Sequence, residues 1–63
     1  MNNAFFIRLP QVKEITGLSR STIYRKIAAG EFPKQHSIGA NLVVWLREDI
    51  EIWCKQMVAS AAV

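Results

Sequence analysis

The chain has one cysteine, Cys54, one histidine, His36, and only five acidic side chains in 63 residues. A lone cysteine cannot close an intramolecular disulfide, and one cysteine with one histidine falls short of a metal-ligand set. A reducing, cytoplasmic setting and no bound metal are therefore expected. Long apolar runs are also missing. Phe5-Phe6-Ile7 is stopped at once by Arg8, too soon for a membrane span or a secretion signal, so the reading is of a soluble, unexported chain without membrane partners. There is no glycine-rich phosphate loop, no nucleophile beside a base and no carboxylate pair set for acid–base work. An enzyme is the poorest reading of such a chain, and no cofactor is expected. Repeats and low-complexity tracts are absent too.

What is present is apolar and basic. Hydrophobic residues make up 51% of the chain and charged residues 21%, which argues for a folded domain over a disordered tail. The whole of 1–63 reads as one domain, at a size where a core gives only marginal stability and bulky side chains are needed for packing. A net charge of +3 suits a polyanionic partner, although many small proteins share such a balance.

The most informative stretch runs from Gly17 to Gly30. Ser19 has the side-chain oxygen that caps a helix start, and Gly30 lacks the Cβ that hinders a left-handed exit, so a helix is expected at about 20–29. Ile23 and Ile27 fall on one stripe, while Ser21, Thr22, Tyr24, Arg25 and Ala28 fall on other faces. One face can bury, and the other is short, cationic and rich in hydroxyls. That is the chemistry of a recognition helix that meets phosphates and base edges in a major groove. It is equally the chemistry of a plain surface helix whose cations are solvated.

Upstream, Pro10 suits a first helical turn, and Val12, Ile15 and Leu18 form an apolar stripe, giving a short helix at about 10–16. Gly17 permits the exit, Leu18 plugs the angle and Ser19 caps the next helix, which is the outline of a helix-turn-helix. Phe5-Phe6-Ile7 reads as an extended segment that places one or two side chains in the core. Downstream, Pro33 disfavours further helix and Phe32 is expected beneath the turn. Residues 34–45 form two extended runs about Gly39-Ala40-Asn41, a hairpin of wing length, with Val43 and Trp45 on one face and Leu42 and Val44 on the other. A third helix is expected at about 47–58, with Ile50, Trp53, Cys54 and Met57 on its buried stripe and Glu48, Asp49 and Glu51 near its positive end. Ile52 points off that stripe, and residues 59–63 are expected to fray. The fold class is thus mainly α with a small β-hairpin: a winged helix-turn-helix of three helices and a two-stranded wing.

The run from Arg8 to Arg25, the segment Gly30-Glu31-Phe32-Pro33-Lys34 and the run from Trp45 to Trp53 together resemble the AlpA-type prophage regulators. The match extends over about residues 6–55, with several separate motifs in the same order. The resemblance implies a MerR-like or excisionase-like winged-helix DNA-binding domain. Its members act as transcriptional regulators of an integrated element or as excisionases that bend DNA for the recombinase. Carried over by position, Ser19, Arg20, Ser21, Thr22, Tyr24 and Arg25 match the segment that enters the major groove. The wing from Lys34 to Val43, with His36 and Asn41, matches the part along the adjacent backbone or minor groove. Here the chain departs from a basic wing, since Ser37-Ile38-Gly39-Ala40-Asn41 contains no cation.

Each of these residues also has a blander reading. Arg25 faces away from Ile23 and Ile27, toward a guanine, a phosphate or solvent. Arg20 and Ser21 occupy a first turn suited to phosphate or a base edge, and Thr22 can serve the cap instead. Tyr24 can pack its ring while its hydroxyl reaches a phosphate. Lys26 and Lys34 are read as electrostatic contacts that set salt dependence. His36 is a surface polar residue or a backbone contact. Trp45, Trp53, Phe32 and Cys54 are assigned to the core. The partners expected are double-stranded DNA, further copies of the chain on adjacent sites, and integrase or RNA polymerase. The rival from another class is an antirepressor-like interaction module that uses Ile52 and the 47–58 helix.

Overall fold

In a computed structural model, which describes residues 4–61, the elements run β1 (Phe6–Ile7), α1 (Leu9–Thr16), α2 (Arg20–Ala28), β2 (His36–Gly39), β3 (Leu42–Leu46) and α3 (Arg47–Ala61). The sheet is antiparallel with β3 in the middle. The expected wing is therefore two neighbouring strands, β2 and β3, of a three-stranded sheet: the extended Phe5-Phe6-Ile7 segment supplies the third strand, with Phe6 opposite Leu46 and Ile7 opposite Trp45. A backbone bond from Arg47 N–H to the Phe5 carbonyl at 3.0 Å ties that strand to the start of α3.

The helix-turn-helix follows from local chemistry. Gly17 adopts a φ of 74°, and its N–H donates to the Lys13 carbonyl at 2.8 Å, closing α1. Ser19 has extended dihedrals, and its hydroxyl oxygen accepts from the Thr22 N–H at 3.2 Å, opening α2. α2 ends at Ala28, and Gly30 turns the chain away at a φ of 74°. In the wing, Asn41 takes the left-handed conformation at a φ of 58°, one of the few residues other than glycine that does so at low cost. The β2–β3 register slips between Ser37 and Gly39, a bulge beside this turn.

One cluster holds the elements together: Ile7 from β1, Val12 from α1, Ile23 from α2, Phe32 from the turn, Trp45 from β3 and Ile50 from α3. Leu9, Leu18, Ile27, Val43, Trp53 and Cys54 pack around it, half-buried. The Trp45 indole N–H donates to the Pro33 carbonyl at 3.1 Å, so the largest core side chain buries no unpaired polar atom.

Three packing expectations are corrected. Ile15 is 46% exposed, because α1 turns Leu9, Val12 and Thr16 inward; the Thr16 hydroxyl donates to the Val12 carbonyl at 2.7 Å and accepts from the Leu18 N–H. Met57 is 43% exposed because α3 outruns the body, and residues 55–61 are all exposed. Trp53 is only half-buried, edge-on to Phe32 at 4.8 Å, with its indole N–H donating to the Glu31 carbonyl at 2.9 Å. The tail reading is corrected in part: α3 stays helical through Ala61, while Ala62 and Val63 lie outside the described residues.

Candidate nucleic-acid interface

Burial of Ile23, which exposes no surface, fixes the rotation of α2. With that side inward, Arg20, Ser21 and Arg25 are exposed on the outward side, and Thr22, Tyr24 and Lys26 are half-buried at its flanks. Ser19 and Thr22 are both committed to the cap. Besides accepting the amide bond, the Ser19 hydroxyl donates to the Thr22 hydroxyl at 3.0 Å. That leaves Arg20, Ser21 and Arg25 as the side chains of the outward face with no hydrogen bond or ion pair among the described residues.

Tyr24 links this face to the core. Its ring meets the Trp45 ring edge to face at 6.2 Å, and the Arg20 guanidinium lies over it at 5.2 Å. It also forms part of the wall of a groove of about 380 Å³ shared with Arg8, Pro10 and Gln11 of the α1 start and Asn41 and Val43 of the wing. The fold thus brings Tyr24 and Asn41, which are far apart in sequence, onto one surface, and adds Arg8 and Gln11 to it. Gln11 is oriented there by accepting the Arg8 N–H at 3.0 Å. Sequence reasoning missed these two; the one available signal was a cation directly before a helix-starting Leu-Pro pair.

Lys34 and His36 do not line that groove. His36 pairs with Val44 across the hairpin, and Val44 points away from the side of β3 that carries Trp45. His36 is therefore exposed on the far face of the sheet from Tyr24. The wing tip holds Ile38, 47% exposed, and no cation. Among the described residues no cluster of histidine, cysteine and carboxylates could hold a metal ion, and no helix is long and apolar enough to cross a membrane.

A family model described as "Prophage CP4-57 regulatory protein (AlpA)" matches residues 5–58. The chain belongs to the AlpA family. Among its AlpA-like relatives, the "DNA-binding transcriptional activator AlpA" of Escherichia coli K12 is 34% identical over 56 residues, covering 79% of this chain and 80% of that protein. The "Uncharacterized protein ORF88" of Enterobacteria phage P4 is 46% identical over 54 residues, 86% of this chain. This chain spans 61% of the length of that phage protein. No solved structure matches the chain. The family match covers every element from Phe6 through most of α3, so the AlpA pattern and the winged helix-turn-helix describe the same residues.

Proposed function

We propose that this AlpA-family chain is a sequence-specific DNA-binding transcriptional regulator of a prophage or integrated element, working in the cytoplasm and by binding without catalysis. α2 enters the major groove with Arg20, Ser21 and Arg25 toward the bases and phosphates, and Ser19 and Thr22 hold its first turn. Asn41 and the neighbouring Arg8 and Gln11 meet the flanking backbone, the Tyr24 ring supports Arg20 beside them, Lys26 and Lys34 contribute long-range attraction, and His36 is a polar residue of the wing. The observation that carries this reading is the unpaired outward face of α2, set by the burial of Ile23 and the Ser19 cap. The printed name of the Escherichia coli relative supports the same reading.

A domain with few phosphate contacts binds loosely alone, so more than one copy acts at a site. Copies on adjacent sites that bend the duplex would give excisionase-type duty through the same contacts, with integrase as partner; promoter control would bring RNA polymerase alongside. The test is a mobility-shift titration against duplexes selected from a random pool. Arg25→Ala weakens the selected complex and Ile52→Ser leaves it unchanged; the reverse pattern overturns the assignment.

One observation favours a second reading, an antirepressor-like module that docks on another protein. Ile52, Trp53 and Met57 line an apolar groove of about 620 Å³ whose only charged lining residues are Glu31 and Asp49. Carboxylates repel phosphate, so this surface suits an apolar peptide segment carrying Lys or Arg. Under that reading Ile52→Ser is the damaging substitution.

A further inference from the structure

Arg20 stands at the end of its helix where a cation is locally unfavourable. A cation in the first turn of a helix meets the positive end of the helix dipole, the unfavourable sign. α3 offsets its leading Arg47 with Glu48 and Asp49 in the same turn, whereas α2 opens on Arg20 with no acid in its first turn. An exposed residue placed against local stability is explained when it serves a ligand.

Arg20 is nevertheless held in place. Its guanidinium lies 5.2 Å from the Tyr24 ring centroid, one helical turn on. Tyr24 is held in turn by the edge-to-face contact with Trp45, whose ring is fully buried and whose indole N–H is anchored on the Pro33 carbonyl. The string Pro33, Trp45, Tyr24, Arg20 runs from the core to the tip of the exposed face. Contact with a ring engages the charge of a guanidinium and leaves its N–H groups available, and among the described residues Arg20 makes no hydrogen bond or ion pair. A forked donor with its orientation already restricted loses less freedom on binding than a free side chain.

We propose that Tyr24 is a positioning residue that presents the Arg20 guanidinium to the O6 and N7 acceptors of one guanine in the major groove. This rests on the DNA-binding reading above and deepens it. Tyr24 acts through Arg20, so its removal lowers sequence preference and leaves bulk electrostatic attraction intact.

The experiment uses duplexes selected by the wild-type chain from a random pool, with an unselected duplex as reference. Dissociation constants are measured for wild type, Tyr24→Phe, Tyr24→Leu, Arg20→Ala and the double variant Tyr24→Leu/Arg20→Ala, with thermal melting to establish that each is folded. Tyr24→Leu is expected to weaken the selected complex by about 3- to 30-fold with the unselected one unchanged, and Tyr24→Phe to keep the preference. In the Arg20→Ala background Tyr24→Leu has no further effect. Replacing the contacted guanine by 7-deazaguanine weakens wild type and Tyr24→Phe but not Arg20→Ala. Equal weakening on both duplexes, or the same loss from Tyr24→Leu with and without Arg20, overturns the positioning role. If Tyr24→Leu is unfolded, Tyr24→Met carries the same comparison. A wild-type chain that selects no duplex overturns the DNA reading and this inference with it, whereas a wild type that selects one and a Tyr24→Leu that reads it equally well overturns this inference alone.

Discussion

The Tyr24 and Trp45 rings meet edge to face at 6.2 Å and an interplanar angle of 64°, joining the exposed side of α2 to the middle strand of the sheet. Trp45 is the point on which fold and site both depend. Trp45→Ala removes a fully buried indole and is expected to cost about 3–5 kcal/mol, enough to abolish folding in a domain of this size. Trp45→Phe keeps a ring but loses the bond to the Pro33 carbonyl, for roughly 1 kcal/mol. Urea titration followed by circular dichroism checks both. A cooperative transition of wild-type midpoint in Trp45→Ala would remove Trp45 from the centre of the core.

The Ser19 cap is expected to matter for folding before it matters for binding. Ser19→Ala leaves the Thr22 N–H without its acceptor and destabilises by about 1 kcal/mol, a drop in melting temperature of roughly 4–8 °C for a domain this small. Ser19→Asp restores an acceptor and brings the favourable charge for a helix start, so it recovers the melting temperature. Scanning calorimetry distinguishes the two.

Glycine substitutions separate backbone strain from crowding. At Gly30 a Cβ would meet nothing within 4 Å, but the φ of 74° is left-handed, so Gly30→Ala costs roughly 1–2 kcal/mol through the backbone alone. At Gly39 the added Cβ would lie 3.7 Å from the Leu42 Cβ at an ordinary φ, and Gly39→Ala is tolerated. Equal losses at both positions, measured by thermal melting, would contradict this account.

Salt dependence sorts the cations. Lys34 lies outside the groove shared by Tyr24 and Asn41, so under the proposed DNA-binding reading its expected attraction is long-range and indifferent to sequence. Lys34→Ala weakens selected and unselected duplexes alike and lowers the slope of log affinity against log salt by at most about 1. A change in sequence preference without a change in slope would instead make Lys34 a base-reading residue.

Much of the fold was legible because short-range chemistry specifies it. Ser19, Gly17, Gly30 and Pro33 mark boundaries through caps and dihedrals that depend on neighbours in sequence, and Phe32 and Trp45 had nowhere to go but inward. The pairing of Phe6-Ile7 with β3 depends on residues almost forty positions away, which no local period reports. Ile15 and Met57 were misjudged because apolar spacing shows that a stripe exists, not where the opposing surface ends. At the site, the outward face of α2 could be read from the Ile23 stripe. The Arg20–Tyr24–Trp45 string and the arrival of Arg8 and Gln11 beside Asn41 could not, since both depend on how the wing folds back toward α2.

The central claim, that the outward face of α2 meets a duplex, is tested most directly by titrating the 15N-labelled chain with a selected duplex and following amide shifts residue by residue. The account predicts the largest changes at Ser19 through Arg25 and at Asn41, with Ile52, Trp53 and Met57 unmoved. Changes confined to Ile52, Trp53 and Met57, or no changes at all in dilute salt, would contradict it.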